Sequence, residues 1–191
     1  MPDYQQILIG DTAIEYMRLD GAVDKPSIVL LHEGLGCVAL WRDFPQLLHD
    51  ICGYSVIAYS RAGYGGSSAA LLPRPIDHMR REAQVFLPDF LAAMGVKQAI
   101  FLGHSDGATV ALEAAAARLP ALDALILIAP HVFVEDFALV AIRTMNERFS
   151  EDNLREKLRR YHGSNVDIAF RGWCDTWLDP EFKHWSMESE L

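Results

Sequence analysis

With 191 residues, 51% of them hydrophobic and 23% charged, the chain is long enough to bury one sizeable core and has the composition of an ordinary soluble globular unit. A net charge of −9 argues against a nucleic-acid partner, which would need clustered Lys and Arg to displace counterions. The basic group Arg155, Lys157, Arg159 and Arg160 is interleaved with Glu151, Asp152 and Glu156 and reads as a solvated helix face.

Three cysteines, Cys37, Cys52 and Cys174, cannot pair completely and lack metal-ligand spacing, so free thiols in a reducing compartment are expected. The stretch from Met1 to Gln6 has neither the basic start nor the long apolar run of a signal peptide. The uncharged run at residues 124–134 is too short to span a bilayer and contains Pro130. A cytoplasmic chain with no membrane partner is the expectation.

Residues 6–9 and 12–19 flank Gly10-Asp11 and predict an antiparallel hairpin. Residues 27–31 form a continuous apolar run, as in a strand covered on both faces, and empty into His32-Glu33-Gly34-Leu35-Gly36. Apolar residues at helical spacing predict a helix over 38–51, stopped by Gly53. A strand over 54–59 leads into a second glycine-dense loop, Arg61 to Ser68. Pro75 opens the next helix, whose apolar face is Met79, Ala83, Phe86, Leu87, Phe90, Leu91 and Met94; Pro88 should kink it without ending it.

The chain is organised around the next segment. An apolar run, Ile100-Phe101-Leu102, passes into Gly103-His104-Ser105-Asp106-Gly107 and then into an alanine-rich helix reaching residue 119. Gly-x-Ser-x-Gly between a strand and a helix predicts a sharp turn that holds the serine in a strained conformation with its hydroxyl exposed. Gly103 and Gly107 fit that turn because a β-carbon at either place would press on the turn or on the departing helix. An apolar strand over 122–129 follows and ends at Pro130-His131. Beyond it lie helical stretches over 134–149 and 153–161, then an aromatic segment with Phe170, Trp173, Trp177, Phe182 and Trp185.

Strands alternating with helices after an opening hairpin predict an α/β fold with a mostly parallel sheet and flanking helices. Three loops should then meet at the carboxyl edge of the sheet: 32–36, 61–68 and 104–107.

Those three loops, in that order, resemble the α/β-hydrolase family. Leu30-Leu31-His32-Glu33-Gly34-Leu35-Gly36 is similar to its oxyanion loop, with Glu33 where glycine is usual. Tyr59 to Ser67 is similar to its arginine-glycine loop, and 103–107 to its nucleophile turn. The resemblance implies a hydrolase core of strands one to six over residues 1–132 and a helical cap over 133–191, with strands seven and eight absent. It implies Ser105 as nucleophile and the backbone N–H groups of Asp106 and Gly34 as oxyanion donors. The family takes its acid and its histidine from positions after those two strands, which this chain does not supply.

His131, at the end of strand six on the active edge, is then the one plausible substitute base, with Glu135 or Asp136 as orienter; a loop histidine that merely lines the pocket is the simpler reading. His104 should point away from Ser105, and His32 should brace its loop. His49, His78, His162 and His184 read as surface histidines. A metal held by His32, Glu33 and His131 lacks a recognised ligand spacing, and no cofactor is called for. The expected activity is hydrolysis of an ester or related acyl bond, feeble without the two triad partners; the alternative is a hydrolase-like binding module without turnover. Trp173, Trp177 and Phe170 suit an apolar small-molecule acyl group, though cap packing explains them equally well. Residues 124–129 of strand six, uncharged and without a neighbouring strand, predict self-association or aggregation through that edge.

Overall fold

A computed structural model describes residues 4–191 except Asp152. Met1, Pro2 and Asp3 of the leading stretch, and Asp152 of the charged helix face, therefore lie outside the described residues. Six strands, β1 (Gln5–Ile9), β2 (Thr12–Leu19), β3 (Ser27–Leu31), β4 (Val56–Tyr59), β5 (Ala99–His104) and β6 (Leu122–Ile128), form one sheet in the order β1-β2-β4-β3-β5-β6. The pairs β1–β2 and β2–β4 are antiparallel; β3–β4, β3–β5 and β5–β6 are parallel.

Successive side chains of a strand point to opposite faces, so the continuous apolar runs feed two cores. Val29, Leu31, Ile57, Tyr59 and Phe101 join one cluster, and Ile28, Leu30, Val56, Ala58 and Leu102 join the other. The second is covered by Trp41 and Leu48, the latter on α1 (Phe44–Cys52). The first is covered by α2 (His78–Arg81), a π-helical turn at Glu82–Phe86, α3 (Leu87–Ala93) and α4 (Asp106–Ala116).

Two helices differ from expectation for identifiable reasons. The run at 38–51 divides into a 3-10 turn at Val38–Trp41 and α1, because Arg42 takes φ 53° and Pro45 sets a fresh helix start. The helix at Pro88 does not stop: that residue has no N–H to give the preceding turn, and the ladder widens there into the π-helical segment before closing again in α3.

After β6 come α5 (Asp136–Glu151), α6 (Leu154–His162) and α7 (Val166–Trp177), with an isolated antiparallel bridge between Phe133 and Ser186. Phe149 of α5 stacks on Phe170 of α7 with ring centroids 3.7 Å apart. Phe170, Cys174 and Trp177 of α7 are buried in the first core cluster, so this segment is packed onto the α/β unit and not merely tethered to it. Arg155 pairs with Asp167 at 2.6 Å and also with Glu156, as suits a charged solvated face.

β6 is apolar on both faces and, as expected from the strand order, lies at the sheet edge. Among the described residues nothing pairs with its outer side, and Ile126 and Ile128 are each 45% exposed. No helix among the described residues is long and apolar enough to cross a membrane.

Candidate active site

Ser105 sits between β5 and α4 with φ 51° and ψ −120°, a conformation that L residues rarely adopt and that costs on the order of 1–3 kcal/mol. The surroundings hold it there. Its N–H donates to the carbonyl of Ile128 at 2.9 Å, and its own carbonyl accepts from Ala108 and Thr109 in the first turn of α4. A β-carbon on Gly107 would run into the carbonyl group of Leu31, and one on Gly103 into Gly107 O and the Ala108 backbone. The two glycines let α4 start directly against the ends of β3 and β5.

The loop after β6 brings His131 to the serine. Ser105 Oγ lies 3.2 Å from His131 Nε2, and His131 Nδ1 lies 3.4 Å from Glu135 Oε2. If the hydroxyl donates to Nε2, the ring proton is on Nδ1, where it faces the Glu135 carboxylate. Asp136, the other expected orienter, turns instead toward Lys183 at 3.8 Å and is largely exposed.

Two further contacts fix the imidazole, and sequence reasoning missed both. Thr109 Oγ1 donates to the His131 carbonyl at 2.8 Å and accepts from the His131 N–H at 3.0 Å. Thr109 is four residues after Ser105, so it lies on the same face of α4, and that spacing was the available signal. Trp177 meets the His131 ring edge-on at 4.8 Å.

Gly34 and Asp106 both lie at this edge, as expected. A β-carbon on Gly34 would be 3.1 Å from Asp106 Oδ2. Among the described residues the Gly34 N–H meets no acceptor, and that of Asp106, at the first position of α4, has none within its helix.

The loops themselves are braced by buried histidines. His32 donates from Nδ1 to the Glu33 carbonyl at 2.7 Å and accepts at Nε2 from the Arg61 N–H at 3.1 Å. Arg61 also donates to the Glu33 carbonyl at 2.8 Å. His104 leaves the serine and faces Glu33 at 3.7 Å. His162 is not the surface residue that its helix suggested: it is 1% exposed, accepts from the Gly65 N–H at 3.1 Å, and faces the Leu35 carbonyl at 3.0 Å. Together with Asn165, which donates to Gly65 O and Ser67 O, it stitches α6 to both glycine-rich loops. Among the described residues no three His, Cys, Asp or Glu side chains are grouped to hold a metal ion; His32, Glu33 and His131 are not brought together as one.

Burial pushes His78 down to about 4, His32 well below the usual histidine value and His162 below it, so all three rings fold neutral. In the unfolded chain they would bind protons near pH 6.5. Below that pH the unfolded state holds more protons than the folded state, so stability falls as pH drops from about 6.5 toward 4. Each ring contributes a slope of up to about 1.4 kcal/mol per pH unit below 6.5 until its own lowered pKa is reached, about 4 for His78. Urea midpoints measured from pH 7 to pH 5 should decline accordingly, and His78→Phe should flatten the decline; pH-independent midpoints would contradict the neutral burial.

Ser105, Asp106 and His131 open into a cavity of about 270 Å³ lined by Phe137, Ala138, Ala141, Ile142 and Met145 of α5 and by Trp173 and Trp177 of α7. Ser105, His131 and Glu135 thus stand in a row beside an apolar cavity.

The sequence model of the alpha/beta hydrolase fold family matches residues 26–190, most of the chain. The chain belongs to that family. Among curated proteins, "Putative carbamate hydrolase RutD" of Pseudomonas syringae pv. syringae (strain B728a) is 33% identical over 105 residues, 55% of this chain. The matched region spans 39% of that relative's own length, and the same share holds for the corresponding protein of Pseudomonas savastanoi pv. phaseolicola (strain 1448A / Race 6). Among solved structures, a membrane phospholipase A described as a bacterial virulence factor superposes with TM-score 0.71 at 19% identity, covering 100% of this chain and 66% of that one. MGS-M2, an α/β hydrolase from a Medee basin deep-sea metagenome library, gives TM-score 0.68 at 16% identity over 98% of this chain and 74% of that one. At such identities the two structures speak for the fold alone. Membership of the family and the names of these relatives support a hydrolase reading of a chain that spans well under half of the curated relatives' length.

Proposed function

We propose that the chain is a serine hydrolase acting on an ester or a related acyl bond through Ser105. The observation that carries this reading is the 3.2 Å approach of Ser105 Oγ to His131 Nε2 in a backbone conformation that presents the hydroxyl to a cavity. In this reading Ser105 Oγ attacks the acyl carbon while His131 Nε2 takes its proton, and the carbonyl π electrons move onto oxygen. The backbone N–H groups of Asp106 and Gly34 receive that oxyanion. Its collapse breaks the bond to the leaving group, which departs with the proton from Nε2. Water then repeats the sequence on the acyl-serine, releasing the acid and restoring Ser105. Glu135 keeps the Nδ1 proton of His131 directed toward itself and offsets the positive charge the ring acquires.

The apolar walls of the cavity favour an uncharged, apolar acyl group of modest size. The name of the relatives in Pseudomonas adds carbamates to the substrates worth testing, since their acyl carbon yields to the same attack.

A fluorophosphonate probe tests the reading directly. The chain should be labelled at one serine, and Ser105→Ala should abolish labelling while leaving the fold intact. Absence of labelling under conditions that label a reference serine hydrolase would favour the binding-module alternative.

A further inference from the structure

The same cavity contains a hydrogen-bond donor that the mechanism above leaves idle. Trp173 of α7 lines the cavity beside Ser105 and Asp106. Its pyrrole edge lies against the oxyanion loop: a β-carbon on Gly34 would overlap both Nε1 and Cδ1 of the indole. The missing side chain at position 34 is therefore what admits this ring, and it admits it with the N–H edge toward the loop. Phe170 meets the indole edge-on at 6.0 Å and is itself stacked on Phe149, so the ring is held from behind. Among the described residues Trp173 Nε1 donates to no acceptor. Unlike Trp41 and Trp177, whose N–H groups are sealed away without partners, Trp173 is only half-buried and borders the open cavity.

Resting on the reading of Ser105 as nucleophile, we propose that Trp173 donates its indole N–H to the reacting acyl group of the substrate, as a third donor beside the backbone N–H groups of Asp106 and Gly34. A donor that is already oriented and has no competing partner in the resting site stabilises developing negative charge without reorganisation during the reaction. The arrangement also accounts for Gly34 in chemical terms, since any side chain there would displace the donor. The occupant that fits is an acyl compound whose carbonyl oxygen reaches this corner while its apolar portion extends along α5.

Trp173→Phe keeps an aromatic ring and removes the N–H. In activated-ester hydrolysis it should lower kcat by about 10²-fold, the scale of losing one oxyanion donor, with KM nearly unchanged. A raised KM with kcat preserved would reduce Trp173 to a packing residue and overturn the proposal. A second measurement uses the unaltered chain. A trifluoromethyl ketone with an apolar tail adds Ser105 Oγ to its carbonyl carbon and leaves an oxyanion. The indole ¹H–¹⁵N resonance assigned to Trp173, by its loss in Trp173→Phe, should move downfield on adding this ketone, and an unmoved resonance would overturn the donor role. Fluorophosphonate labelling separates the two levels. A chain that is not labelled loses the serine-hydrolase reading and this proposal with it, whereas a chain labelled as fast after Trp173→Phe as before loses only the proposal.

Discussion

Replacing His131 with alanine should lower activated-ester turnover by about 10⁴-fold or more, nearly as far as Ser105→Ala does. The expectation follows from the roles proposed for the pair. A serine hydroxyl without a base is a weak nucleophile, and nucleophile and base lost singly cost about as much as lost together. The double variant should accordingly lie close to each single one. Residual catalysis over water, on the order of 10³–10⁴, would come from binding and the oxyanion donors. Glu135→Gln should cost less, about 10²-fold, because the carboxylate is 3.4 Å from Nδ1 and its side chain is 32% exposed to screening water. Asp136→Asn should be neutral, since that side chain faces Lys183. A His131→Ala enzyme within tenfold of the unaltered chain would remove His131 from the mechanism.

Gly107→Val should destabilise the whole molecule and not only its site. The new β-carbon would collide with the Leu31 carbonyl group and approach His32 O at 2.6 Å, and these are backbone atoms of the central strand and its loop, unable to swing aside. Overpacking in a core typically costs about 1–3 kcal/mol, and a clash with backbone belongs at or above the top of that range. For a chain of this size about 3 kcal/mol corresponds to a drop in Tm of roughly 6–12 °C. Differential scanning calorimetry decides the matter. A midpoint within a degree or two of the parent would mean that α4 can move off β3 freely.

Much of this was legible in the chain itself, because period and turn chemistry are local. The apolar runs at 27–31, 54–59 and 122–129 marked strands, and the glycines bracketing Ser105 marked the turn, since only a residue without a β-carbon fits either place. The partnership between Ser105 and His131 was visible only as two residues on one sheet edge. Its realisation depends on Thr109, whose hydroxyl grips the His131 backbone from both sides across a 22-residue separation that no local pattern encodes. The burial of His162 was hidden for the same reason. A histidine on a charged helix reads as solvated until the helix is seen docked over Gly65 and Leu35. The edge position of β6 was legible from strand order alone, although its apolar run by itself would suit an interior strand equally well.

The placement of β6 gives the relay an unusual dependence. Ser105 is anchored to the last residue of that outermost strand through Ile128 O, and His131 follows it by three residues. Among the described residues one side of that ladder has no partner, so opening of β6 from β5 breaks one row of strand pairing, together with the packing of Leu122, Leu125 and Leu127 on the core. Each such opening would separate the hydroxyl from the imidazole while leaving most of the molecule native. If Ser105 and His131 work as proposed, their activity is tied to the pairing of one edge strand, and activity lost in denaturant ahead of the global transition is the expected sign of it.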